Sequence, residues 1–150
     1  MNILEIKQAI VDKAVERLEE KYTDLMDEAN VGQQDKDDVA ETETGEAGHE
    51  SESVQLATIM REEAEQVRKD IQAMKNYKFE KPHEQVEMLA LVKTNKGNFF
   101  ISKAIKPVEI NKEKYFFLAL DAPIYTAMEG KKQGDSFTFN NMKYTINELA

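Results

Sequence analysis

The feature that most constrains this chain is a narrow apolar stripe that occurs twice in its first half. In residues 1–30, apolar side chains recur at alternating spacings of three and four after a gap at Gln8: Leu4, Val11, Val15, Leu18, Tyr22, Leu25 and Ala29. A second stripe repeats this spacing: Ala57, Met60, Ala64, Val67, Ile71 and Met74. Such spacing places the apolar residues on one side of a helix, and so narrow a stripe is typical of a coiled-coil seam.

The two stripes predict a hairpin of two antiparallel helices, each of about 28 residues. The predicted register places Leu18 opposite Met60, so that the chain reverses near residue 39. Three glycines are expected to break the helices around that point because glycine is a poor helix former: Gly32, Gly45 and Gly48.

Most of the negative charge lies between the two stripes. The chain has a formal net charge of −9, and residues 31–52 hold one lysine and eight acids: Asp35, Asp37, Asp38, Glu41, Glu43, Glu46, Glu50 and Glu52. Taken alone, an acidic run of this kind is typical of a solvated or disordered loop. Here it falls at the predicted far end of the hairpin. The acidic balance argues against direct binding of nucleic acid, which needs Lys and Arg to neutralise phosphates.

The second half of the chain has a different period. Short runs of alternating apolar and polar residues predict strands on both sides of a turn at 94–97, at 115–120, and in a last hairpin around Asn140 and Asn141. All three prolines lie in this half: Pro82, Pro107 and Pro123. The expected product is a compact, mostly antiparallel β domain.

One short helix is predicted between these strands, from Ala122 to Glu129. Asp121 is its candidate N-cap and Gly130 its candidate C-cap, because short polar side chains satisfy the first amides and glycine accepts a left-handed backbone. The predicted fold class is therefore α+β. An antiparallel coiled-coil hairpin occupies 1–79, with its acidic tip at about 31–52, and a small β domain with one short helix occupies 80–150.

No catalytic constellation is visible in the sequence. Ser102 and Ser136 have no histidine close to them in sequence, and His83, beside Pro82, is predicted to be a solvated linker residue. The chain has no cysteine, which excludes disulfides and thiolate chemistry. We therefore expect a protein that is not itself an enzyme.

The segment from Asp121 to Asp135 resembles the C-terminal domain of bacterial Gre transcript-cleavage factors. Met128-Glu129-Gly130-Lys131 and Gly134-Asp135 carry the match, followed by a closing hairpin that contains Lys143-Tyr144-Thr145-Ile146. The order of domains is also similar, since these factors have a coiled-coil hairpin followed by an FKBP-like β domain.

This resemblance implies a transcription elongation factor that binds RNA polymerase. Its acidic tip would enter the secondary channel and stimulate cleavage of backtracked RNA by the polymerase itself. Glu46 and Glu50 would supply carboxylates to a Mg²⁺ ion shared with the polymerase active site, only in that complex, and Glu43 and Glu52 are further candidates. Two-metal cleavage needs such anionic oxygen ligands. Ala47 stands where the family tip has Asp, and Glu50 where it has Glu.

Two other functions remain open at this point. One is a Gre-like inhibitor or modulator that occupies the secondary channel without cleavage activity. The other is a coiled-coil adaptor with an FKBP-like binding module and no relation to the polymerase. In each case we expect a cytoplasmic monomer without a cofactor of its own. We also expect no sequence-specific contact with nucleic acid and no membrane contact, because no apolar run approaches the roughly 18–20 residues that span a bilayer.

Overall fold

A computed structural model of the chain describes the backbone of residues 1–40 and 47–150, and the side chains of residues 1–31 and 52–150. Three helices are present within these ranges: α1 (Ile3–Ala40), α2 (Ala47–Asn76) and α3 (Pro123–Met128). The strands are β1 (Leu91–Thr94), β2 (Gly97–Ser102), β3 (Val108–Ile110), β4 (Glu113–Ala119), β5 (Ser136–Phe139) and β6 (Met142–Leu149). The order of helices and strands confirms the predicted α+β class.

Helices α1 and α2 extend further toward each other in sequence than predicted. Helix α1 has 38 residues and continues through Gly32, and α2 has 30 residues and includes Gly48. The prediction that these two glycines break the helices is wrong, because one glycine in a helix interior costs only about 1 kcal/mol. The third, Gly45, lies outside the described residues. None of the described helices is both long and apolar enough to cross a membrane.

The chain forms two compact units. One contains residues Val15–Tyr77, and the other combines Met1–Ala14 with Lys78–Ala150. In the first unit, Lys21 Nζ lies 3.3 Å from Glu63 Oε1, and Lys75 Nζ lies 2.9 Å from Glu19 Oε1. These ion pairs place α1 beside α2. Because α1 ends at Ala40 and α2 begins at Ala47, the two helices run in opposite directions. We call this arrangement the helix pair.

The ion pairs correct the predicted register of the helix pair. The register predicted from spacing puts Ala57 opposite Lys21 and Ile59 opposite Glu19. The observed partners lie six residues further along α2, at Glu63, and sixteen residues further, at Lys75. Leu18 therefore lies opposite the part of α2 between Glu63 and Lys75, and its predicted place opposite Met60 is wrong. A shift by whole heptads keeps the apolar residues in the seam, which is why spacing alone could not detect it.

Burial follows the predicted stripes in the helix pair. The fully buried residues are Leu18, Ala29, Ala57, Ala64, Val67 and Met74, and the other stripe residues of this unit are partly buried. The apolar seam is thus confirmed as the packed side of both helices. The supercoiling of a true coiled coil stays a prediction.

The strands form one six-stranded sheet in the order β3-β4-β2-β1-β6-β5. Strand β2 pairs with β4 in parallel, from Asn98 opposite Tyr115 to Ser102 opposite Ala119, and the other neighbours are antiparallel. The prediction of an antiparallel sheet is wrong for this pair, and the sheet is mixed. The cause is β3, which sequence reasoning missed. It lies outside β4 and returns the chain so that β4 runs with β2. The FKBP-like topology stays a prediction.

The main core lies between one face of the sheet and α3. It contains Val86, Ala90, Val92, Phe99, Ile101, Tyr125, Met128, Phe137, Tyr144, Ile146 and Leu149. Aromatic rings continue across this face: Phe137 stacks on Tyr144 at 5.0 Å between centroids, Tyr144 meets Phe99 at 6.4 Å, and Phe99 meets Phe116 at 6.2 Å. The aromatic residues of this domain are therefore mainly core, as their number predicts.

Two asparagine turns close hairpins at the edges of the sheet. Asn140 and Asn141 have φ values of 50° and 64°, as expected for the predicted hairpin between β5 and β6. Asn111 and Lys112, with φ values of 51° and 69°, form an equivalent turn between β3 and β4. Asparagine accepts a left-handed backbone more readily than most residues, because its short side chain can bond locally.

The start of α1 belongs to the same compact unit as the sheet. Lys7, Ile10 and Ala14 are fully buried there. At the N-terminus, Asn111 Nδ2 donates a hydrogen bond to Met1 Sδ over 3.3 Å. The first turns of α1 therefore bury apolar side chains that do not belong to the seam stripe.

Candidate functional site

The acidic stretch lies at the junction of α1 and α2. Helix α1 ends at Ala40 and α2 begins at Ala47, so Glu43 and Glu46 belong to the six residues between the helices. Glu50 lies in the first turns of α2, and its side chain, like those of Glu43 and Glu46, is outside the described residues. Their predicted roles as carboxylate donors stay predictions.

Glu52 is the one predicted site residue whose side chain is described. It is exposed on α2, five residues after the helix begins. The other described acids near it on the helix pair are Asp24, Asp27 and Glu28, all exposed on α1. Among the side chains that the structure describes, no group of three or more His, Asp or Glu is placed to hold a metal ion.

The segment from Asp121 to Asp135 forms a closed corner beside the sheet. Helix α3 begins at Pro123 after the N-cap residue Ala122, which makes no side-chain cap bond, so the prediction of Asp121 as N-cap is wrong. The helix ends at the C-cap Glu129, and Gly130 follows with φ of +75°. Gly130 therefore follows the helix in the left-handed conformation that is expected of a glycine at a helix C-terminus.

Hydrogen bonds explain why this corner needs its particular residues. The Gly130 N–H donates to the Val86 carbonyl over 2.9 Å, and the Val86 N–H donates to the Lys131 carbonyl over 2.8 Å. The Lys132 N–H donates to Asp135 Oδ2 over 2.8 Å. The residues that resemble the Gre motif thus connect α3 to the segment before β1 and form a tight turn.

The corner also joins the last strand. The Gly134 N–H donates to the Ile146 carbonyl over 2.8 Å, and the Ile146 N–H donates to the Asp135 carbonyl over 2.9 Å. Gly134 has φ of +91°, which a residue with a Cβ rarely adopts. The Gly-Asp element therefore has a structural role in closing the domain.

A charged cluster that includes buried Lys7 lies where the start of α1 meets the segment before β1. Lys7 Nζ is 5.7 Å from the centroid of the Phe79 ring. His83 Nδ1 is 2.6 Å from Glu87 Oε1, and the His83 side chain is only 13% exposed. The prediction of a solvated His83 is wrong, because this histidine is packed and bonded.

The electrostatics of this cluster centre on Lys7. Burial lowers the pKa of Lys7 to about 8, and the negative charge of Glu87 partly offsets that effect. Burial, then Glu129 and Glu87, raise the pKa of Tyr125 on α3. An open polar groove of about 400 Å³ adjoins the cluster, lined in part by Lys81, His83 and Lys132. Its mixed charges favour no single ligand.

A second charged group connects β1 to β4 across β2. Lys93 Nζ is 2.9 Å from Glu113 Oε2, which also accepts a hydrogen bond of 3.0 Å from the Tyr115 hydroxyl. The hydrogen bonds from Lys93 and Tyr115 lower the pKa of Glu113. Burial, with the hydrogen bond to Glu113, raises the pKa of Tyr115. Ionised Glu113 and neutral Tyr115 therefore support the sheet and form no nucleophile–base pair.

Comparisons with known proteins do not assign the chain to a family. No protein-family model matches the chain, and no curated protein matches it. Among solved structures, the chain is similar to GreA factor homolog 1 (Gfh1) of Thermus thermophilus, with a TM-score of 0.34 and 8% sequence identity. The similarity covers 91% of this chain and 94% of that one. A likeness of this size is distant and says nothing about a partner or an activity.

Proposed function

We propose that this protein is a Gre-like transcription elongation factor that binds RNA polymerase. In this proposal, the helix pair is an antiparallel coiled coil whose acidic end enters the secondary channel. The observation that carries the proposal is the position of the acids. Glu43 and Glu46 fall in the six residues between two long antiparallel helices, where their carboxylates would be presented at one end.

The corrected register supports this assignment. The register predicted from spacing placed the chain reversal near residue 39, whereas the ion pairs of Glu19 and Lys21 move it to the residues between Ala40 and Ala47. The reversal then coincides with Glu43 and Glu46, and with Glu50 just inside α2.

The chemistry proposed for these residues is support of metal-dependent phosphodiester cleavage. Carboxylate oxygens are the donors that a hard cation such as Mg²⁺ prefers, and a second metal ion stabilises both the attacking and the leaving oxygen. Glu46 and Glu50 would hold this ion together with the polymerase, with Glu43 and Glu52 as neighbours. The chain itself would perform no chemistry.

A second function, a channel-binding modulator without cleavage activity, is favoured by one residue. Ala47, the first residue of α2, stands where the resemblance predicts an aspartate. A methyl group cannot bind a cation, so the tip has one carboxylate fewer at that position. Glu46 would then have to replace it from the preceding position.

The test is RNA cleavage in a backtracked elongation complex of a bacterial polymerase, with the purified full-length chain added. Glu43→Gln, Glu46→Gln and Glu50→Gln are combined in one variant. The matched control removes three exposed carboxylates elsewhere on the helix pair: Glu20→Gln, Asp27→Asn and Glu62→Gln. A cleavage stimulator loses most of its effect in the first variant and keeps it in the control.

Other outcomes separate the alternatives. Slower nucleotide addition without transcript shortening would identify a channel modulator. Equal cleavage by both triple variants would contradict carboxylate delivery by these residues. If the chain does not sediment with polymerase, both polymerase-based functions are contradicted and the adaptor function is favoured.

A further inference from the structure

Three large apolar side chains are more than half exposed on the helix pair. Val31 is 55% exposed, Leu56 is 54% exposed and Ile59 is 58% exposed. Single exposed apolar residues are common on protein surfaces, but a group on one surface marks a site of interaction. The decisive question is whether these three residues share a side of the helix pair.

The ion pair between Lys21 and Glu63 marks one side of the helix pair. Glu28 follows Lys21 by two turns on α1, and Leu56 precedes Glu63 by two turns on α2, so both lie on the side of this ion pair. Because the helices are antiparallel, these equal steps also keep Glu28 and Leu56 at the same level.

Ile59 borders the same surface, because it lies three residues after Leu56 and residues three apart are neighbours on a helix surface. Val31 does not, because it follows the buried seam residue Ala29 by two positions, about 200° around α1, and so faces away from α2. We call this surface, formed by Glu28, Leu56 and Ile59, the Leu56 flank. It offers two exposed apolar residues of α2 beside an acid of α1.

The charges around the Leu56 flank have one sign. Residues 24–31 and 52–60 contain no lysine or arginine, but they contain the exposed acids Asp24, Asp27, Glu28 and Glu52. The opposite side, marked by the ion pair of Glu19 and Lys75, carries the uncharged Thr23, Met26 and Asn30 on α1 and the basic Arg61 on α2. Of the two sides, the Leu56 flank is therefore the acidic one.

We propose that the Leu56 flank binds an amphipathic helix of a partner protein that carries Lys or Arg beside its apolar residues. A helix laid along the flank would cover Leu56 and Ile59 with its apolar side, which supplies the affinity. Its basic residues would face the acids of the flank, which gives orientation and faster association. A second copy of this chain is a poor occupant, because it would bring the same acids against these.

This proposal does not depend on polymerase binding, and a defined probe tests it. The probe is a synthetic 18-residue peptide of leucine and lysine arranged as an amphipathic helix, titrated into the full chain and followed by fluorescence anisotropy. A leucine–glutamate peptide of the same pattern and a scrambled leucine–lysine peptide are the comparison ligands. The flank should bind the first peptide and neither of the others.

The decisive variant replaces Leu56 and Ile59 with glutamine and leaves every charge in place. Removal of this apolar surface should weaken binding of the leucine–lysine peptide at least about tenfold. The matched control, Thr23→Gln with Asn30→Gln on the opposite side, should bind like the wild type. Circular dichroism checks that the helix content of all three proteins is equal.

Two results would overturn the proposal. Equal binding by the wild type and the Leu56→Gln/Ile59→Gln variant would show that the acidic stretch attracts basic peptides without the apolar flank. Sedimentation that shows a wild-type dimer, and a monomer for that variant, would assign the surface to a second copy of the chain.

Discussion

Glu19 on α1 and Lys75 on α2 form an ion pair with 2.9 Å between Oε1 and Nζ. Both side chains are about half exposed, so the pair contributes at most about 1 kcal/mol to stability. Its value is geometric, because together with the pair of Lys21 and Glu63 it fixes how the two helices align.

The alignment can be tested by cross-linking, since the chain has no cysteine of its own. We expect a Glu19→Cys/Lys75→Cys variant to form an intramolecular cross-link with a short bis-maleimide in high yield. A Glu19→Cys/Ile59→Cys variant, which matches the register predicted from spacing, should form little. Mass spectrometry of tryptic digests measures both yields, and a reversed ratio would restore the register predicted from spacing.

Buried Lys7 should make the stability of the protein depend on alkaline pH. Its pKa is lowered to about 8 in the folded chain, below its value in the unfolded chain, so the unfolded state binds more protons above pH 8. The free energy of unfolding should therefore gain a rising contribution from about pH 8 to about pH 10.4, the usual lysine pKa. Urea denaturation across this range measures it.

Lys7→Met should remove that pH dependence and stabilise the protein at pH 7 by about 1–3 kcal/mol, since a buried charge is replaced by an apolar chain. Lys13→Met on the exposed side of α1 is the control and should change neither quantity appreciably. If the wild type and Lys7→Met differ by a constant amount at every pH, the lowered pKa is wrong.

Ser102 has a buried hydroxyl that bonds to no described residue. Replacement by alanine removes a polar group that is costly to bury, and should raise the free energy of unfolding by about 1 kcal/mol. Thr94 is the matched comparison, because its Oγ1 donates to the Gly97 carbonyl and accepts from the Lys96 N–H. Thr94→Val should therefore destabilise the protein in the same urea titrations. A loss of stability in Ser102→Ala would reveal an unrecognised bond of the hydroxyl.

The glycines of the corner after α3 should resist substitution. Gly130 and Gly134 have positive φ values and no atoms within 4 Å of an added Cβ, so only backbone strain opposes alanine there. We expect Gly130→Ala and Gly134→Ala each to lower the free energy of unfolding by about 1–2 kcal/mol. Gly97→Ala, where a Cβ would meet Phe99 at 3.4 Å without a positive φ, should cost less. Thermal unfolding ranks the three, and an equal loss at Gly97 would contradict strain as the cause.

Much of the architecture was predictable because it depends on local patterns. Apolar periodicity identified both long helices and their buried sides, and the Asn140-Asn141 turn identified the last hairpin. The register of the helix pair was not predictable, because a seven-residue repeat is satisfied equally at several alignments. Only charged neighbours such as Lys21 and Glu63 distinguish them.

The missed elements had weaker signals. Strand β3 has three residues, and it lies between Pro107 and a turn without glycine. A second apolar face of α1 is present in the sequence as Ile3, Ile6, Ile10 and Ala14, but only the seam stripe was used for the prediction. Lys7 is next to Ile6, so this second face would have predicted that Lys7 is buried.

For the candidate site, the sequence predicted a concentration of carboxylates between the helices. It could not indicate how Glu43, Glu46 and Glu50 would be arranged around an ion, because coordination depends on side-chain positions that no periodicity sets. His83 was misjudged for a related reason. Its neighbour Pro82 suggested an exposed linker, but its bonding partner is Glu87, four residues later. This segment is not helical, so the spacing of four gave no signal of the contact.

The pairing of β1 with β6 has a consequence for how the chain folds. Val92 lies opposite Leu149, so the middle of the sheet joins residues far apart in sequence. The helix pair closes through a short link and needs only residues 15–77. During synthesis it can form early, whereas the sheet must wait for β6 to leave the ribosome. Refolding should therefore have a fast helical phase and a slower phase limited by long-range strand pairing.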